Sequence, residues 1–197
     1  AAPSANRSGK PSPTTANHVF EDMNGHIPLI LDGGECLVGV ESTVVDMTRP
    51  VPHILRPGGI TAEQIAQVAG ASEVDSAVMR PLAEGEKPRS PGMAHRHYAP
   101  NGQLTVFTGD SDRVIQRIQS EYDCAKANGS RPLILSMEAH VASYGDRRIE
   151  SLGADETAMA HRLFALLRDA DHMEADVLFA EGVEAKGVGL AVMNRLG

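Results

Sequence analysis

Several short stretches of this chain hold residue types that could do chemistry. Residues 2–14, "APSANRSGKPSPT", carry hydroxyls at Ser4, Ser8, Ser12 and Thr14, the amide of Asn6, and cations at Arg7 and Lys10. Hydroxyls, backbone N–H groups and a following helix N-terminus together suit a phosphate, although composition alone favours a solvated Ser/Pro turn. "GVESTVVDM" (39–47) sets adjacent hydroxyls, Ser42 and Thr43, at the start of an apolar strand, a pattern also expected of ordinary strand edging. "ILRPGG" (54–59) puts Arg56 directly before Pro-Gly-Gly. A guanidinium beside a Gly-rich turn can reach phosphate bidentately, or serve as a surface ion-pair partner. "HRHY" (95–98) spaces two histidines to one strand face, but no third ligand follows at a metal spacing, so no metal is expected. "KGVGLAVMNRLG" (186–197) lacks the full G-x-G-x-x-G pattern and reads as a loop into a closing helix.

The elements that must position these residues fall into two halves. In the first, "IPLILDGG" (27–34), "STVVDM" (42–47) and "HILRPG" (53–58) are β-like runs bounded by Gly or Pro. "TAEQIAQVAG" (61–70) is a helix with a Thr61/Gln64 capping box and Gly70 as its stop. "SPTTANHVFEDM" (12–23) starts another helix, with Ser12 as the expected cap and Pro13 at the first helical position. The second half alternates strands at 103–109, 131–137 and 175–182 with amphipathic helices at 112–129 and 155–171. That rhythm implies a small doubly wound parallel α/β domain. Between the halves, residues 85–103 hold no apolar periodicity and are dense in hydrogen-bond donors, which suits a segment that docks on something rather than a passive tether.

Composition narrows the function class. Of 197 residues, 42% are hydrophobic, enough for packed cores. The net charge of -8 argues against a nucleic-acid-coating surface, though not against a local phosphate site. No apolar run reaches membrane-spanning length. The two cysteines, Cys36 and Cys124, match no metal or redox spacing and are expected to be buried free thiols of a reducing compartment.

Taken singly these signals are weak; their order is specific. "APSANRSGKPSPT", "GVESTVVDM", "ILRPGGIT" and "SPGMAHRHYAP", in that succession, resemble the C-terminal half of a YrdC-like domain and its following linker. "EGVEAKGVGLAVMNRLG" resembles the end of the Rossmann-like domain found in the two-domain form of the threonylcarbamoyl-AMP synthases. The resemblance implies an α/β fold: a partial YrdC-like twisted α/β domain over 1–84, a linker or lid over 85–102 and a small Rossmann-like parallel domain over 103–197. It implies a reaction in which L-threonine, bicarbonate and ATP give threonylcarbamoyl-AMP and pyrophosphate. The product passes to the tRNA threonylcarbamoyl-transfer machinery in the cytoplasm, with Mg2+ accompanying ATP and no stable nucleic-acid or membrane partner. Carried over by motif, Ser4, Asn6 and Ser12 lie on the nucleotide side, Ala2 and Ser42 on the threonine side, and Arg56 on the ATP phosphates. The linker, through His95, Arg96, His97 or Tyr98, closes over the nucleotide.

The chain also departs from the family pattern. Nothing in residues 1–197 matches the Lys-x-Arg signature that grips the triphosphate, and Ala94 and His95 stand where the family tends to have a basic residue and Tyr. The first residue is Ala rather than Met. The chain is therefore expected to be an incomplete copy without synthase activity of its own, its first half poorly ordered in isolation and its C-terminal domain folding independently. The alternatives are a non-catalytic nucleotide- or RNA-binding YrdC-like module and, lower in rank, a carbamoyl-transfer domain of the hydrogenase-maturation kind.

Overall fold

The computed structural model describes residues 5–7, 10–78 and 100–197. The expectations for Ala2, Ser4, the linker and His95, Arg96, His97 and Tyr98 lie outside the described residues.

The second half is built around one parallel sheet. Its strands β4 (Gln103–Phe107), β5 (Pro132–Met137), β6 (Ile149–Gly153) and β7 (Val177–Glu181) lie in the order β4-β7-β5-β6. Neighbouring strands all run parallel. Both faces are covered, and the sequence alternates accordingly. In β5, Leu133 and Leu135 face one core while Ile134 faces the other; in β7, Leu178 and Ala180 oppose Phe179 in the same way. That period of two is the pleat itself, with each face handed to its own helix layer. Helix α3 (Ser111–Ala127) brings Ile118 and Tyr122 to one face. Helices α4 (Glu156–His172) and α5 (Gly187–Leu196) cover the other, with Met159, Leu163, Leu166 and Leu167 of α4 all buried. Asp110 and Asp155 cap α3 and α4, each accepting a backbone N–H three residues on. The expected doubly wound domain is therefore present, with one strand more than the sequence reading supplied. β6, "IESLG", is a short edge strand with a charge and a serine in it, too weak in period to stand out.

The first half is smaller. Helix α1 (Ala16–Met23) leads to strand β1 (Val44–Asp46), which pairs antiparallel with β2 (His53–Arg56); β2 pairs parallel with β3 (Glu73–Val74). Between β2 and β3 lies α2 (Ala62–Ala69), with the expected capping box: the Gln64 amide N–H donates to Thr61 Oγ1, and Gln64 Oε1 accepts from the Thr61 amide. Gly70 ends it at φ 83°, a left-handed position suited to glycine.

Three expectations are corrected here. Helix α1 is capped by Thr15, which accepts from the His18 amide; the Ser12 hydroxyl is occupied elsewhere. Residues 27–34 form no strand. Leu29, Leu31 and Leu37 are 70%, 85% and 93% exposed, and among the described residues no strand lies beside them to complete a ladder. An apolar β-like run becomes a strand only when a neighbour accepts its hydrogen bonds. Finally, Cys36 and Cys124 are free but exposed, Cys36 two residues after that irregular stretch and Cys124 on α3.

The two halves share a core. Val40, from the first half, is buried within the cluster formed by α4, α5 and the parallel sheet. Gly39 makes this possible: a Cβ there would sit 2.0 Å from the His161 carbonyl oxygen and 2.4 Å from that of Ala160, both in α4. Burying one valine contributes about 1.5–3 kcal/mol to this joint.

Candidate functional site

The segment 39–43 and the turn 56–60 meet backbone to backbone. A Cβ on Gly58 would lie 2.2 Å from the Glu41 carbonyl oxygen and 2.4 Å from the Thr43 nitrogen, so only glycine fits between β2 and that segment. The Gly59 amide donates to the Glu41 carbonyl at 3.3 Å. Thr43 locks the other side: its Oγ1 donates to the Ile60 carbonyl at 2.5 Å and accepts from the Ile60 amide at 3.2 Å. Of the adjacent hydroxyls, Thr43 thus holds the turn and Ser42 faces outward.

Arg56, at the end of β2, folds over Ser42. Its Nη2 donates to the Ser42 carbonyl at 2.9 Å and to Ser42 Oγ at 3.3 Å, and its Nε to the same carbonyl at 3.2 Å. At the preceding residue, Ser12 Oγ donates to Glu41 Oε1 at 2.9 Å, while Glu41 Oε2 accepts from Arg195 Nε at 2.8 Å. The structure therefore brings three of the expected residues, Ser12, Ser42 and Arg56, to one place around Glu41. The Asn6 side-chain amide donates to the Arg7 and Lys10 carbonyls of its own loop at 3.1 and 3.2 Å, and the Lys10 amide closes a turn on Arg7. Asn6 shapes the loop that carries Ser12.

The two cations of that loop serve the frame. The Arg7 amide donates to Asp22 Oδ2 at 3.3 Å and its Nε to the Asp22 carbonyl at 3.0 Å; Lys10 lies 3.8 Å from Asp171. Behind the loop, buried Arg168 of α4 grips Asp22 through Nη2 and Nη1, at 2.7 and 3.2 Å, and donates from Nη2 to the Pro11 carbonyl. Burial alone would raise the Asp22 carboxyl, but the hydrogen bond and charge of Arg168, aided by the Arg7 amide and Lys10, outweigh it and hold the group below the usual carboxylate range. His18 sits beside this pair. Burial, then the Arg168 charge, lowers its pKa, and the Thr14 amide donates to its Nδ1 at 3.2 Å, which fits a neutral ring.

Sequence reading passed over Glu41, Asp22, Arg168 and Arg195. Glu41 stands inside the "GVEST" stretch and was hidden by its hydroxyl neighbours. Asp22 follows Glu21 in an acidic pair on a helix, which carries no signal of its own, and the arginines lie 146 and 154 residues from their partners. Chemically, the cluster presents a guanidinium, two hydroxyls and the close-packed backbone of a Pro-Gly-Gly turn, a set suited to binding and orienting an anionic ligand.

Residues 60–197 match the family model described as threonylcarbamoyl-AMP synthase, C-terminal domain, and residues 1–58 match one described as telomere recombination. Threonylcarbamoyl-AMP synthases of Pyrococcus abyssi and Bacillus subtilis are 45% and 44% identical over all of this chain, which covers 56% and 55% of them. The Schizosaccharomyces pombe synthase is 41% identical, again over all of this chain and 51% of its own length. The chain thus spans about half the length of the curated relatives it matches. The crystal structure of P. abyssi Sua5 complexed with L-threonine superposes with a TM-score of 0.88 at 44% identity, covering 99% of this chain and 56% of that one. With more than half of its residues matched by the synthase model, the chain belongs to the threonylcarbamoyl-AMP synthase family.

Proposed function

We propose that this chain carries the threonine- and nucleotide-facing part of an L-threonylcarbamoyladenylate synthase. The observation that carries the reading is the convergence of Ser12, Ser42 and Arg56 about Glu41, in a chain whose relatives bear that name. In the reaction, the threonine amine and bicarbonate give a carbamate with loss of water. A carbamate oxygen then displaces pyrophosphate from the α-phosphorus of ATP. Such chemistry asks a protein to position two anions against their mutual repulsion and to shield a labile mixed anhydride from water. Arg56 offsets phosphate charge. Ser42, 3.3 Å from its guanidinium, holds threonine beside the reacting phosphate, with Ala2 on the same side. Ser12, with Ser4 and Asn6 of the same loop, faces the nucleotide. The linker bearing His95, Arg96, His97 and Tyr98 closes over it. Mg2+ arrives with ATP as part of the substrate.

The product's use in tRNA modification places the protein in the cytoplasm. Among the described residues, no helix is long and apolar enough to cross a membrane. Titration of the chain with ATP, with L-threonine and with both, followed by thermal shift, tests the reading. Stabilisation by both ligands, with the ATP response lost in Arg56→Ala, is expected. Stabilisation by RNA alone, or an ATP response untouched by Arg56→Ala, would count against it.

A further inference from the structure

Among the described residues, the second half reaches the candidate site through Arg195, which bonds Glu41. We infer that Arg195 of α5 is a positioning residue for that site, acting through Glu41, and that α4 and α5 together clamp the two segments bearing Ser12 and Ser42. The Arg195 side chain is 3% exposed and donates from Nε to Glu41 Oε2 at 2.8 Å. The other oxygen of the same carboxylate receives Ser12 Oγ at 2.9 Å, and the next residue along the chain is Ser42, under Arg56. One carboxylate thus fixes both hydroxyl-bearing segments to a helix of the other half.

Three independent contacts surround this one. Val40, directly before Glu41, is buried in the core of α4 and α5, and Gly39 allows the backbone onto α4. Arg168 of α4 holds the Pro11 carbonyl, one residue before Ser12. Asn194, beside Arg195, donates to the Val78 carbonyl of the first half at 2.5 Å. Loop segments such as 10–14 and 39–43 make few backbone ladder bonds of their own, so their position is set by whatever they are tied to. Here that anchor is the second half, which gives it a role in substrate binding at a distance from substrate. The role as a clamp is structural; its bearing on substrate rests on the proposed function.

Hydrogen exchange and calorimetry on the 197-residue chain, comparing wild type, Arg195→Met, Arg195→Lys and Glu41→Gln, test the inference. In Arg195→Met, the amides of Lys10, Ser12 and Thr14 and those of 39–44 should exchange at least about tenfold faster, while those of β5 and β7 keep their protection. Arg195→Lys, which can still donate to Glu41, should restore most of the local protection, and Glu41→Gln should resemble Arg195→Met. Dissociation constants for ATP and L-threonine should rise about tenfold in Arg195→Met and recover in Arg195→Lys. Unchanged local exchange, or an equal rise across β5 and β7, overturns the inference, as does no recovery with lysine. If wild type binds neither ligand, the functional reading falls, and the exchange measurements still decide the clamp.

Discussion

Replacing Arg168 by methionine tests the electrostatics of the joint between the halves. The guanidinium is 6% exposed, its Asp22 partner 7%, and the two share hydrogen bonds of 2.7 and 3.2 Å. Methionine retains the apolar stem but leaves a buried carboxylate with only the Arg7 amide and more distant Lys10. Breaking a buried pair on one side costs about 3–5 kcal/mol; the surviving Arg7 contact puts the expected loss near the low end, about 3 kcal/mol. With a urea slope of about 2–3 kcal/mol/M, the midpoint followed by far-UV circular dichroism should fall by about 1–1.5 M. The loss should also depend on pH. In the wild type, Asp22 lies below its ordinary value of 3.8, so its contribution is present above that pH and is lost as pH falls through the depressed value. In Arg168→Met, burial acts unopposed by the guanidinium and the carboxyl takes up its proton earlier. The gap between variant and wild type should therefore be widest at neutral pH and close as the solution is acidified. Adding Asp22→Asn removes the stranded charge and should recover about 1–2 kcal/mol of the loss. A midpoint shift below about 0.3 M, or a double variant no more stable than Arg168→Met alone, would refute the reasoning.

Three further outcomes follow from the same geometry. Gly58→Ala forces a Cβ onto the Glu41 carbonyl at 2.2 Å and should cost about 1–3 kcal/mol in a melt, together with a weaker L-threonine response, because the segment bearing Ser42 must retreat. His18, lowered by burial, contributes stability that is full above its unfolded value of 6.5 and declines as pH falls below it. Melting temperature should drop from pH 7 to pH 5.5 with a slope that His18→Asn reduces, and an identical slope in the variant would exclude His18 as the source. In the second half, buried Glu181 accepts from Tyr144 Oη at 2.6 Å, Ser136 Oγ at 3.0 Å and the Met137 amide at 3.3 Å, with His140 Nδ1 at 2.7 Å. Burial and then this carboxylate push the Tyr144 phenol well above its ordinary range, so the proton stays on the tyrosine and the bond is charge-assisted. Tyr144→Phe should lose about 1.5–3 kcal/mol by chemical denaturation, and a loss under about 0.5 kcal/mol would mean that the bond contributes little.

What the sequence made legible was local. The capping box of α2, the apolar stripes of α3 and α4 and the core strands β5 and β7 are each encoded within one short window, and each appears where its periodicity places it. The order of the motifs was equally readable, because it survives without knowledge of the fold. Residues 27–34 were misread for the opposite reason. Leu29 and Leu31 carry a strand's apolar pattern, but a strand is a property of a pair, and the pattern says nothing of the partner. Ser12 was misassigned in the same way: both it and Thr15 are chemically competent caps, and the choice was made by Glu41, which takes the Ser12 hydroxyl and leaves the cap to Thr15.

Glu41 shows why the site itself was only half legible. Motif reading weights hydroxyls, glycines and the cation near an expected phosphate, and all three kinds were found: Ser42, Gly58 and Arg56. An acidic residue beside an expected phosphate carries the wrong sign and is passed over. Its sense emerges only when Arg195 is seen to neutralise it, and that residue lies in the final turn of the last helix. A carboxylate bridging a hydroxyl and a guanidinium from opposite ends of the chain ties the segment bearing Ser12 to the one bearing Ser42, with its own charge offset by Arg195. The same reasoning explains the pairing of Asp22 with Arg168 behind Pro11. Both arginines come from the second half and both acids from the first, so neither half can satisfy its buried charges alone. The motifs themselves can be read from the sequence; the residues that decide where those motifs sit are readable only from the contact between the halves.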